Sequence, residues 1–87
     1  MYVILVYDVE QERVGRVCKY LRQSMNWVQN SVFEGELTPA QLERVRKGLG
    51  GIINQGKDSV IIYTMRDAKW MQRETMGVDK NPASNIL

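Results

Sequence analysis

The chain contains no histidine. That excludes an imidazole general base, a His–Cys or His–Ser dyad and an ordinary zinc site. It contains one cysteine, Cys18, so no internal disulfide can form, which fits a reducing cytosol. Long apolar runs are also missing. The N-terminal run, Tyr2 to Tyr7, spans 6 residues and stops at an acid. A secretory core segment or a membrane span needs more, so no targeting signal and no membrane partner are expected. The glycines of Gly48-Leu49-Gly50-Gly51 follow no strand and precede no Gly-Lys-Ser/Thr, so they form no phosphate loop. Chemistry, if there is any, falls to carboxylates, hydroxyls and basic groups.

What is present describes one small folded domain. The chain has 87 residues, 44% hydrophobic and 25% charged. A domain of this size buries only about 60% of the surface its unfolded chain exposes, so a second subunit would add needed burial. The net charge of +2 is too small to diagnose nucleic-acid binding. Its distribution says more. Arg13 to Phe33 contains no acid but holds Arg13, Arg16, Lys19 and Arg22, and a second basic cluster is Arg66, Lys69 and Arg73, offset by Asp67. Such runs are solvated faces more often than phosphate-binding surfaces, and composition alone favours the solvated face.

Periodicity gives the path of the chain. Tyr2 to Tyr7 reads as a strand, apolar on both faces. Val14, Val17, Cys18, Leu21 and Met25 recur at helical spacing, in a helix ended by Asn26. Cys18 lies on that stripe as a small core residue. Residues 27–30 and 31–37 read as two strands with a turn at Asn30 and Ser31. Thr38, Pro39 and Gln41 make a capping box with proline in the first turn. The second helix carries Leu42, Val45, Leu49, Ile52 and Ile53 and stops at Gly56. Residues 58–65 form another strand, and residues 66–74 a polar connection that includes Trp70 and Met71. Residues 75–78 form a last short strand, and the tail is loosely ordered except for its two final apolar residues.

This order, strand-helix-strand-strand-helix-strand plus an extra strand, is the ferredoxin-like α+β pattern. It makes a βαββαβ two-layer sandwich with a core over residues 1–66. Residues 67–87 supply the connection, late strand and tail. Two helices cover one face of the sheet. Val3, Leu5 and Tyr7 point to one face and Tyr2, Ile4 and Val6 to the other. The fourth strand repeats this with Val60, Ile62 and Thr64 against Ile61, Tyr63 and Met65, so the helix-free face also carries an apolar band. Soluble monomers rarely expose such a band, so the helix-free faces of two copies are expected to pack together as a homodimer.

Asp8 closes the first strand and has two readings. Asp8-Val9-Glu10-Gln11 has capping-box spacing, which makes Asp8 a helix N-cap worth typically about 1 kcal/mol. Alternatively, two Asp8 carboxylates meeting across a twofold axis would hold one Mg²⁺, with phosphate and water completing the shell.

Taken in order, Tyr7-Asp8-Val9, Arg13, the block Gln29 to Gly35, the helix from Thr38, the strand Asp58 to Tyr63 and Met76-Gly77-Val78 resemble the CRISPR-associated protein two family over nearly the whole chain. The resemblance implies a symmetric dimer of the prokaryotic cytoplasm. It implies a Mg²⁺- or Mn²⁺-dependent endonuclease acting on RNA or double-stranded DNA, with Asp8 from both subunits as metal ligand and catalytic residue. Ser31, Phe33 and Arg13 would support it, although Phe33 reads equally well as a core aromatic, and Arg13 as an ion-pair partner. The late strand would cross to the partner's sheet. A second implication is a non-catalytic role in spacer acquisition. There the dimer bridges integrase subunits and holds a DNA duplex, with Arg16, Lys19 and Arg22 on the nucleic acid. A toxin-like messenger RNA nuclease is a third alternative, since that class shares the fold. Glu10 and Glu12 are a departure, placing acids where many relatives carry basic residues.

Overall fold

The structure, a computed structural model, describes residues 1–67 and 70–80. The elements run β1 (Tyr2–Asp8), α1 (Gln11–Leu21), β2 (Asn26–Gln29), β3 (Val32–Glu36), α2 (Pro39–Gly50), β4 (Ser59–Asp67) and β5 (Trp70–Gly77). They form one five-stranded sheet of order β2-β3-β1-β4-β5, with antiparallel neighbours throughout. This is the expected α+β architecture, with β1 in the middle.

Alternation along β1 sorts its side chains. Val3, Leu5 and Tyr7 are buried while Tyr2, Ile4 and Val6 are half-buried. The buried set packs with Phe33, Val60 and Ile62 of the flanking strands and with Val17, Leu21, Leu42, Val45 and Leu49 of the helices. Both helices therefore cover one face. The ring of Tyr20 lies over Gly48, where a Cβ would collide with it, and its hydroxyl donates to the Arg44 carbonyl at 2.7 Å. That contact draws α1 and α2 together. The other face carries Ile4, Val6, Ile61, Tyr63 and Met65, each half-buried with no helix over it.

Several boundaries differ from the sequence reading. The capping box at Thr38 forms as expected, with Gln41 N–H on Thr38 Oγ1 and Thr38 N–H on Gln41 Oε1. The box at Asp8 does not form. β1 continues through Asp8, which pairs with Ser59, and the N-cap of α1 is Glu10, with no side-chain capping bond. α1 ends at Leu21 rather than Asn26, and a turn carries the chain to buried Met25. α2 ends at Gly50, not Gly56. The segment read as a polar connection is strand: β4 runs on to Asp67, and β5 begins at Trp70 and pairs with β4 of its own chain from Asp67 to Ser59. Lys69 and the tail beyond residue 80 lie outside the described residues.

Candidate active site

Asp8 stands at the exposed end of the middle strand. By alternation its side chain shares the helix-free face with Val6 and Ile4, and 73% of it is exposed. Its carboxylate has no capping duty, so the competing reading of this residue is removed. Its ion-pair partner is Lys80, with Nζ 3.3 Å from Oδ2, and the same ammonium donates to the Asp8 carbonyl at 3.5 Å.

The β2–β3 turn lies at the same end of the sheet. Tyr7 N–H donates to the Ser31 carbonyl at 3.0 Å, which places Ser31 beside the residue preceding Asp8. Asn30 makes the turn with a left-handed φ of 44°, a conformation asparagine tolerates. Its carbonyl accepts from Trp27 Nε1 at 3.0 Å. Phe33 is fully buried and lies 6.1 Å from the Tyr7 ring, tilted by 34°. It is a core aromatic, and it touches the site only through the strand that leads into Asp8. Burial, with a contribution from Cys18 at 2.8 Å, pushes the Tyr7 hydroxyl up to about 12.

Arg13 is not free for phosphate. Its Nε and Nη2 donate to the two oxygens of Asp58 at 2.6 and 3.0 Å, and it also pairs with Glu10 and Glu12. Of its two sequence readings, ion pairing is the one the geometry carries. Asp58, read only as the start of a strand, is fully buried and accepts two further bonds, from Glu10 N–H and Asn54 N–H. The Arg13 guanidinium, aided by those two N–H donors, outweighs burial and holds the Asp58 carboxyl well below the usual carboxylate range. Asp58 therefore caps α1 from outside the helix. The only local signal for it was a lone acid before an apolar strand. Lys80 gave no signal, because it falls in a segment without periodicity.

Arg16, Lys19 and Arg22 are exposed on α1, and Arg44 and Lys47 are exposed on α2. None of these five makes an ion pair among the described residues. They belong to the helix layer, whereas Asp8 faces away from it, so the structure does not gather them around Asp8. Among the described residues no three His, Cys, Asp or Glu side chains cluster as a metal site. Asp8 is the right kind of donor for Mg²⁺, but it is one carboxylate where an ion needs several oxygens. Among the same residues no helix is long and apolar enough to cross a membrane.

The fold and this acid define a small ferredoxin-like protein with one solvent-facing carboxylate at the end of its middle strand. Residues 1–73 match the family model described as CRISPR associated protein Cas2, and the chain belongs to that family. It is 55% identical to the CRISPR-associated endoribonuclease Cas2 of Thermococcus kodakarensis, over all of both chains. It is 54% identical to the protein of the same name from Pyrococcus furiosus, again over all of both. A solved Cas2 crystal structure superimposes with a TM-score of 0.74 at 46% identity, covering 100% of this chain and 98% of the other.

Proposed function

We propose that the protein is a metal-dependent endoribonuclease acting as a symmetric dimer, with Asp8 at its centre. The observation that carries this reading is the state of Asp8: a carboxylate with no capping role, exposed on the apolar face that a second copy would cover. The names of the relatives point the same way. Face-to-face packing would bury Ile4, Val6, Ile61, Tyr63 and Met65 and bring two Asp8 side chains near one axis. The free edge of β5 and the tail would then meet the partner. Two Asp8 carboxylates, with substrate phosphate and water, supply the oxygen ligands that one chain lacks. Mg²⁺ or Mn²⁺ held there would polarise the phosphodiester and lower the pKa of a bound water. The test is Asp8→Asn in a cleavage assay on single-stranded RNA and on double-stranded DNA, with and without Mg²⁺. The expected result is Mg²⁺-dependent RNA cleavage by the wild type and its loss in the variant. Cleavage that survives the substitution would refute the role of Asp8.

A second reading rests on a separate observation, the exposed Arg16, Lys19 and Arg22 of α1 and Arg44 and Lys47 of α2, which make no ion pair among the described residues. They suit the sequence-independent contacts that a DNA-holding scaffold in spacer acquisition makes with backbone phosphates. Spacer integration that persists in Asp8→Asn, and fails when Arg16, Lys19 and Arg22 are reversed to glutamate, would make this the governing role.

A further inference from the structure

We propose that Lys80 is a catalytic residue of the Asp8 site, its ammonium stabilising the charge that builds on the scissile phosphate. The proposal rests on the nuclease reading above. Among the described residues Lys80 is the one cation in ion-pair contact with Asp8, at 3.3 Å. Arg13, the basic residue the sequence offers nearest to Asp8, is committed to Asp58, Glu10 and Glu12. No imidazole exists in the chain.

The ammonium is delivered by a built segment. Gly77 takes a left-handed turn at φ +79°, where an added Cβ would collide with the Asp58 carbonyl. Val78 N–H donates to that carbonyl at 2.8 Å. Asp79 then pairs with Arg73 of β5 at 3.2 Å. Three consecutive residues are thus tied to the sheet before the chain reaches Lys80. A lysine carries three rotatable donors on a long stem. With its side chain 35% exposed, Lys80 can turn from the carboxylate to a phosphate lying on it.

In hydrolysis the oxygen of one water bonds to phosphorus and one P–O ester bond breaks. One proton of that water ends on the leaving oxygen, and the other goes to solvent. Negative charge rises on the non-bridging oxygens during the step, where a fixed cation is worth most. Lys80 stays an ammonium throughout and transfers nothing.

The experiment compares Lys80→Gln and Lys80→Arg in the full chain. Cleavage of single-stranded RNA is read in single turnover at saturating Mg²⁺. Binding of the same RNA is read in EDTA across a range of salt. Lys80→Gln is expected to lower the cleavage rate about 10²–10³-fold, with Lys80→Arg retaining more. The slope of log affinity against log salt should fall by about 1. Cleavage by Lys80→Gln at or above the wild-type rate would overturn the proposal, leaving Lys80 a resting counter-ion that competes with the metal. If the wild type does not cleave RNA, the nuclease reading fails on its own. The salt slope then decides, and an unchanged slope removes Lys80 from the phosphate.

Discussion

Asp58 and Arg13 form a doubly hydrogen-bonded ion pair in which the carboxylate has no exposed surface. The pair joins the start of β4 to the first turn of α1, and through Glu10 N–H it fixes the backbone two residues beyond Asp8. Breaking a buried pair by removing one charge leaves the other uncompensated. Asp58→Asn is expected to cost roughly 3 kcal/mol or more of unfolding free energy, read by urea denaturation. The same pair sets an acid limb. A carboxylate whose folded pKa is depressed contributes its stability above its unfolded pKa, about 3.9, and loses it as pH falls toward the folded value. Wild-type stability should therefore drop more steeply than that of Asp58→Asn as pH falls below about 4. Parallel acid limbs would show that Asp58 is not the group responsible.

Gly77 permits a close approach that no other residue allows. A Cβ there would meet the Asp58 carbonyl, and its φ of +79° disfavours any L side chain. Gly77→Ala should destabilise by about 2 kcal/mol or more, from the left-handed backbone and the collision together. It should also release Val78 from Asp58, so hydrogen exchange at the Val78 amide should quicken. Unchanged exchange would mean that the segment is held by something other than this turn.

Val6 and Ile61 are cross-strand neighbours on the helix-free face. If that face joins two copies, Val6→Glu with Ile61→Lys should halve the mass measured by light scattering and leave the far-ultraviolet circular dichroism intact. A wild type that already shows the mass of one chain at micromolar concentration would remove the dimer and the paired Asp8 site with it.

The comparison of Thr38 with Asp8 shows what local sequence can specify. Both begin a capping-box pattern before a helix. At Thr38 the partners lie within one turn, and the box forms. At Asp8 a longer-range choice wins: pairing with Ser59 extends the strand, and Asp58 satisfies Glu10 N–H from 48 residues away. No window of local sequence contains that donor and acceptor together. The first part of β5, before the late strand read at residues 75–78, escaped for a related reason. Gln72, Arg73 and Glu74 have weak strand preference, but pairing along β4 overrides it. The alternation in β1 and β4 was legible because burial on two faces writes itself into consecutive residues. The Asp8–Lys80 contact joins residues 72 apart in sequence and carries no periodic signal.

The middle position of β1 also has a consequence for the order of assembly. This strand precedes both of its neighbours, which lie at Val32–Glu36 and Ser59–Asp67. As the chain leaves the ribosome, β1 can pair with β3 once Glu36 is made, but its other edge stays open until Ser59–Asp67 follow. Contacts of such sequence separation close slowly. Asp8 belongs to an early element but gains its surroundings last, because Asp58, Ser59 and Lys80 arrive in that order, long after it. A nascent chain that has not yet released residue 80 therefore carries the carboxylate without the environment that organises it.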